Sequence, residues 1–318
     1  MSTTAPGQSP ARTVVSLATP LKKQIYKNRY YYLLLIPAIA YFILFHYKPM
    51  YGVLIAFKDY RMMDGILGSP WAGFHYFDRL FSSPLFYRVF RNTVIISVLR
   101  IVFAFPAPIL LALLLNEIYH VRYKKIVQTI SYLPHFISWV VIGGMLREIL
   151  SPSYGAVNSV LGLFGIEPIF FLATPEYFRA ILVGSGIWQE IGWGSIVYLA
   201  AISGIDTQQY EAAYVDGANR LQQAAYITIP GIAPVIIILF LLSLSNIMNA
   251  GFEQIFNLYN PRVYEVADII DTYVYRVGVL SAEFSFGAAV GLFKNVIGLV
   301  LLLVVNAFVR RFSEHALW

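Results

Sequence analysis

Six separate stretches of this 318-residue chain are long and apolar enough to cross a lipid bilayer as helices: 31–47, about 89–115, 126–146, about 178–202, 235–256 and 287–309. Crossing the hydrocarbon takes about 20 predominantly apolar residues. Buried helices of a water-soluble protein are the competing explanation. Charged residues, however, make up 13% of the chain, against about 25% in ordinary globular domains, and such a deficit calls for a nonaqueous solvent. The expected fold class is an all-α membrane protein with six transmembrane helices. Pro106 and Pro108, inside the second run, are expected to kink it where neighbouring helices resatisfy the freed carbonyl.

The charges that remain orient the spans. Residues 1–30 form a polar tail with Lys22, Lys23, Lys27 and Arg29 just before the first run. Ala38-Ile39-Ala40 resembles a signal-peptide cleavage site, but apolar sequence continues through Phe45; the expectation is an uncleaved first span. Arg122, Lys124 and Lys125 sit beside Glu117 between spans two and three, and Arg310 and Arg311 follow the last span. With six spans these three segments share a side, which the positive-inside rule makes cytoplasmic. The loop before span six holds Glu265, Asp268, Asp271 and Glu283 against Arg262 and Arg276, as expected outside. Lys48, Lys58, Arg61 and Arg79 dilute the pattern in the first outer loop but alternate with Asp59, Asp64 and Asp78. The net charge of +6 is thus a topology signal rather than a nucleic-acid face. The chain has no cysteine, which excludes disulfides, thiolate metal sites and a cysteine nucleophile. The outer segments 49–88, rich in aromatic residues, and 151–176, rich in Gly and Pro, are either an interfacial belt or a cap that touches an external partner.

Polar side chains inside spans are costly and face a cavity or a partner. Ser243, Asn246, Asn249, Glu253 and Asn257 recur at spacings of three or four along the fifth run, which places them on one helical face. The fourth run carries Trp188, Gln189, Glu190 and Trp193, and the sixth Lys294 and Asn295. Amides, carboxylates and rings suit a sugar, so Asn246, Asn249, Glu253, Gln189, Trp193 and Asn295 are candidate path residues; the competing role is helix-to-helix glue. Arg100, in the middle of span two, is expected to pair with Glu190 or Glu253. Those three groups also support an alternative, a secondary active transporter with an intramembrane ion or proton relay. His46, His75 and His135 lack metal-ligand spacing and are read as structural or interfacial, with no metal site expected. An integral-membrane enzyme is disfavoured, because no HExxH, nucleophile elbow or paired catalytic His and carboxylate appears.

Residues 203–234 join spans four and five. Asp206 or Thr207 is placed to cap a helix, with Gln209 three residues beyond Asp206 as in a capping box. A helix from 208 to 215 is expected, then a sharp bend at Gly217, then an amphipathic helix over 219–227 stopped by Pro230 and Pro234. The product is a compact knob whose Ala212, Ala213 and Ala218 permit close approach by another protein and whose Glu211 offers a charge.

Glu211-Ala212-Ala213, Asp216-Gly217-Ala218 and Ile227-Thr228-Ile229-Pro230 together resemble the EAA motif of bacterial ABC importer permeases, with Ile229 where leucine is usual. The stretch Trp71-Ala72-Gly73-Phe74-His75-Tyr76-Phe77, with Arg91-Asn92-Thr93 after it, is similar to the segment before span two in sugar-type permeases. Residues 105–117, Phe105 to Glu117, resemble the polysaccharide-type branch that includes alginate importer permeases. The resemblance covers nearly the whole chain from about residue 30. It implies a type I importer fold: a cytoplasmic tail over 1–30, a transmembrane permease domain over 31–309 with its coupling loop at 203–234, and a cytoplasmic tail over 310–318. It further implies a multi-pass subunit of the bacterial inner membrane with both termini cytoplasmic. The implied partners are a second homologous permease, two ATPase subunits and an extracytoplasmic solute-binding protein delivering a carbohydrate. The chain lacks a G-x-x-x-x-G-K-[ST] phosphate loop, so ATP and Mg are expected on the ATPase partner. Glu211, Ala212, Ala213, Asp216, Gly217 and Ala218 are the expected ATPase-coupling residues.

Overall fold

The computed structural model describes residues 26–312, nearly all of them helical; Lys22 and Lys23 of the basic tail and residues 313–318 lie outside the described residues. The chain divides into two compact units, Met1–Val53 and Leu54–Trp318. The principal helices are α1 (Arg29–Phe57), α2 (Pro84–Asn116), α3 (Val121–Phe136), α4 (Trp139–Ile149), α5 (Pro175–Ser203), α6 (Thr207–Val215), α7 (Arg220–Leu244), α8 (Phe252–Leu258) and α9 (Phe284–Phe312).

By length and composition α1, α2, α7 and α9 can each cross a membrane, and α3 with α4, bent by 103°, makes a fifth span if the pair is one broken crossing. The sixth expected span is α5. At 29 residues it is about 43 Å long, ample for the hydrocarbon, but Glu176, Arg179, Gln189 and Glu190 and the glycines between 184 and 194 dilute its apolar character. Within the second unit α5 is the central element and packs along α2, α3 and α7.

Three π-turns explain how proline enters these helices without ending them. Ile43–Tyr47, Arg100–Ala104 and Ala224–Thr228 each finish two residues before a proline, Pro49, Pro106 and Pro230. A proline ring strikes the carbonyl four residues back and cannot donate to it. Here that carbonyl belongs to Phe45, Val102 or Tyr226, inside the wider turn, where the i→i+5 pattern relieves the conflict. The expected stop at Pro230 and Pro234 is therefore corrected: the helix that starts at Arg220 runs through both to Ser245. The second limb of the knob and the fifth span are one helix.

A second correction follows at the other end. The expected run 235–256 is not continuous; it breaks after Ser245 and resumes in α8. Asn249 Nδ2 donates to Asn246 Oδ1 (3.3 Å), Asn246 Nδ2 donates to Leu242 O (3.4 Å), and Gly251 takes φ +90°. Asparagine amides that bond locally compete with the helical ladder, and a left-handed glycine closes the break.

The buried core of the second unit lies in separate clusters. Phe178 and Leu182, near the start of α5, pack with Ile96, Ala250, Ile255 and Leu258. Tyr198 and Ile202, near its end, pack with Ala112 of α2 and Ile232 of α7. Between them the middle of α5 faces open space. At the end that holds the loop before α9, Asp268 is buried and takes a 2.5 Å ion pair from Arg276 and a 2.8 Å bond from Thr272. Arg179 donates to Val266 O and to Asn92 Oδ1, and Asn92 Nδ2 donates to the Glu265 and Asp268 carbonyls. The acidic loop before α9 is thus pinned to α2 and α5 rather than left as a solvated run.

Candidate functional site

The knob between α5 and α7 is built as a closed hydrogen-bonded turn. Asp206 caps α6 by accepting from the Gln208 amide at 3.0 Å. The capping box expected at Gln209 forms instead at the second limb, where Asn219 accepts from the Gln222 amide (2.9 Å) and Gln222 Oε1 accepts from the Asn219 amide (2.8 Å). At the C-terminus of α6, Ala218 N–H donates to Ala213 O and Gly217 N–H to Tyr214 O. This pair of bonds is a Schellman turn, and Gly217 holds the left-handed position it needs, φ +83°.

Glu211, Ala212, Asp216 and Gly217 are exposed, and Ala213 and Ala218 are half-buried. Around them Tyr214, Val215, Leu221 and Tyr226 are each more than three-quarters exposed. Four large apolar side chains left in water on one small knob mark an interaction surface. The knob is fastened to its base. Tyr210 shares a 2.9 Å hydrogen bond with buried Thr228, and Gln223 Nε2 donates to Ala218 O. Arg220 pairs with Glu117 at the end of α2 (3.1 Å) and lies over the Tyr119 ring.

A cavity of about 810 Å³ opens beside the middle of α5. Arg100, Phe105 and Pro108 line it from α2, Gln189, Glu190, Trp193 and Tyr198 from α5, and Ser243, Asn246 and Asn249 from the end of α7, with Trp139 contributed by α4. Four of the six expected path residues, Gln189, Trp193, Asn246 and Asn249, therefore meet at one site. Asn295 lines a smaller neighbouring cavity of about 200 Å³, which also touches Asn246, Asn249 and Lys294. Glu253 lines neither cavity. The expected polar row from Ser243 to Asn257 assumed one unbroken helix; the break at 246–251 turns Glu253 onto an exposed part of α8, and the Asn257 carbonyl accepts from Arg147.

The pairing expected for Arg100 is also corrected. Its Nη2 donates to Gln254 Oε1, not to Glu190 or Glu253. Gln254 is itself held by Nε2 bonds to Leu182 O (2.7 Å) and Ser185 Oγ (2.8 Å), so the guanidinium is anchored to the start of α5. Glu190 instead meets His135 Nδ1 at 3.1 Å, and the His135 ring stacks flat on Trp193 with centroids 4.5 Å apart. Gln189 donates to Ile137 O at 2.9 Å while its buried Oε1 has no partner. Trp139 and Tyr198 carried no signal of their own in the sequence: each is a single residue in an apolar context, and only the packing of α4 and α5 around the cavity brings them together.

Residues 104–314 match the family model described as binding-protein-dependent transport system inner membrane component. The polygalacturonan/rhamnogalacturonan transport system permease protein YteP of Bacillus subtilis (strain 168) is 42% identical over 319 residues, 99% of each chain. A solved bacterial ABC transporter that imports the acidic polysaccharide alginate has a chain 46% identical to this one, with TM-score 0.87 over 92% of this chain and 99% of that one. A second structure of a bacterial alginate ABC transporter, in complex with an alginate pentasaccharide-bound periplasmic protein, aligns at 45% identity and TM-score 0.86, over 92% and 98%.

Proposed function

The chain belongs to the family of binding-protein-dependent transport system inner membrane components, a non-enzymatic permease subunit of an ABC importer, and from that premise we propose that it forms part of the path for an oligo- or polysaccharide. The saccharide is delivered by an extracytoplasmic solute-binding protein, and an ATPase bound at the knob drives the cycle. Family membership favours this reading over an ion-relay transporter, as does the absence, among the described residues, of a contact ion pair between Arg100 and either Glu190 or Glu253.

One observation carries the coupling role: the Schellman-closed turn at Gly217 presents Glu211, Tyr214 and Val215 outward while the second limb continues without a break into α7. A push on the knob is therefore a push on a spanning helix whose far end, at Ser243, lines the cavity together with Asn246 and Asn249 of the turn that follows it. Two packed states of such a bundle give alternating access, with ligand biasing them only through a difference in affinity. In this reading the knob and both tails are cytoplasmic, a second homologous permease completes the path, and ATP and Mg are held by two ATPase subunits. Gln189, Trp193, Asn246 and Asn249 contact the saccharide, with Asn295 beside them.

The test is co-purification. The ATPase encoded with this permease should be retained by the wild-type complex and lost, with uptake, in Glu211→Ala. Undiminished assembly and transport in that variant would overturn the coupling assignment.

A further inference from the structure

The cavity holds a cation that makes no contact ion pair among the described residues. Arg100 sits at the centre of α2, deep in the span, where a charged side chain is costly without a partner. Among the described residues no carboxylate oxygen lies within 4.0 Å of it. Among the described residues its only hydrogen-bond partner is the neutral amide oxygen of Gln254, and its buried Nε has none. An arginine carries five N–H donors and does not lose its charge, so most of its bonding capacity here is unused. Glu190, also in the cavity wall, attracts Arg100 only from beyond contact distance and shares its hydrogen bond with His135 instead. Lys294 shows the contrast: it faces the adjoining small cavity, but Asp271 neutralises it at 2.5 Å.

The guanidinium is also held in place rather than free to leave. Gln254, Leu182 and Ser185 fix it from one side, and Gly251 lies so close against it that a Cβ there would overlap the guanidinium. The same cavity is lined by the amides of Gln189, Asn246 and Asn249 and the rings of Trp139 and Trp193. A fixed cation without a contact ion pair, in a cavity that also offers amides and indoles, is complementary to a carboxylate borne on a sugar, which a planar guanidinium can grip with two parallel bonds.

We propose that Arg100 is the residue through which this permease selects anionic, uronic-acid saccharides over neutral ones, supplying inside the span the counter-charge that the carboxylate loses on leaving water. The inference rests on the carbohydrate-path reading above and adds to it the charge class of the substrate and the group that reads it.

The test is equilibrium binding of radiolabelled trigalacturonate, and of its carboxyl-reduced neutral counterpart, to the whole permease–ATPase complex in nanodiscs without the binding protein. A charge-assisted bidentate contact corresponds to about tenfold or more in affinity. Wild type should therefore prefer the acid by at least about tenfold. Arg100→Gln should bring that preference to near unity by weakening the acid alone, and Arg100→Lys should restore part of it. Equal binding of both sugars to wild type, or a preference for the neutral one, overturns the inference and leaves the carbohydrate path standing. An equal loss of both in Arg100→Gln also overturns it, by reducing Arg100 to a packing residue. Failure of either sugar to bind any form overturns the inference and the carbohydrate reading together.

Discussion

The Tyr210 hydroxyl stands 2.9 Å from Thr228 Oγ1, which ties α6 to the π-turn at the base of α7. The bond bridges 18 residues and both limbs of the knob. In the proposed cycle it helps the knob and the span move together. Tyr210→Phe removes about 1 kcal/mol of tie and leaves the exposed docking residues untouched. The complex should assemble and hydrolyse ATP, while saccharide transported per ATP falls by about fivefold at most, since 1 kcal/mol biases a two-state element by no more. Paired measurements of uptake and phosphate release in proteoliposomes check this; an unchanged ratio would remove the tie from the mechanism.

Gly217 has nothing within 4 Å of the position a Cβ would take, yet its φ is +83°. The constraint is therefore conformational, not steric crowding. Gly217→Asn, which tolerates the left-handed region, should keep ATPase binding. Gly217→Val should weaken it through a backbone penalty of about 1–2 kcal/mol. Gly217→Pro should abolish it, because proline cannot reach that φ and lacks the N–H that bonds Tyr214 O. Co-purification of the ATPase ranks the three.

Gly192 of α5 lies against the backbone of Ser131 on α3, where an added methyl would overlap the carbonyl group. Backbone cannot give way as a side chain can, so Gly192→Ala should cost about 1–3 kcal/mol and lower the temperature at which the purified complex loses its monodisperse elution peak. Gly184→Ala, one helical face away with open space around it, is the control and should elute as wild type. Equal behaviour of the two would mean that α3 and α5 do not pack this closely.

Asp268 is 1% exposed and bonds Arg276 and Thr272. Removing one partner of a buried pair costs about 3–5 kcal/mol, because the other charge is left stranded. Asp268→Ala should therefore be less stable than wild type in the same heating assay, and adding Arg276→Ala should recover part of the loss. A double variant as unstable as the sum of the singles would show that the two residues act independently.

Much of the knob's geometry was legible in the chain, because it is local. The Glu211–Ala218 turn, the cap at Asp206 and the demand for glycine at 217 follow from residues within a few positions of one another, and the structure has them. Where local reasoning erred, it misjudged competition between neighbours. Gln209 three places after Asp206 and Gln222 three places after Asn219 are equally good box patterns by spacing, and only the second closes. Pro230 and Pro234 are helix stops by propensity, but a π-turn at 224–228 absorbs the first and the helix continues. Asn246 and Asn249 fall on helical spacing, yet their amides bond within the turn and end the helix instead.

The apolar runs, the placement of basic residues and the EAA spacing are properties of short windows, so the one-dimensional pattern alone decides that this chain is a helical membrane subunit. The cavity is a different kind of object. Arg100 and Gln254 are separated by 154 residues, and Glu190 and His135 by 55. Which cation gains a contact ion pair and which does not depends on how α2, α5 and the broken end of α7 pack. No periodicity encodes that outcome, because the energy of a charge inside a span is set by what stands within a few ångströms of it rather than by what precedes it in the chain.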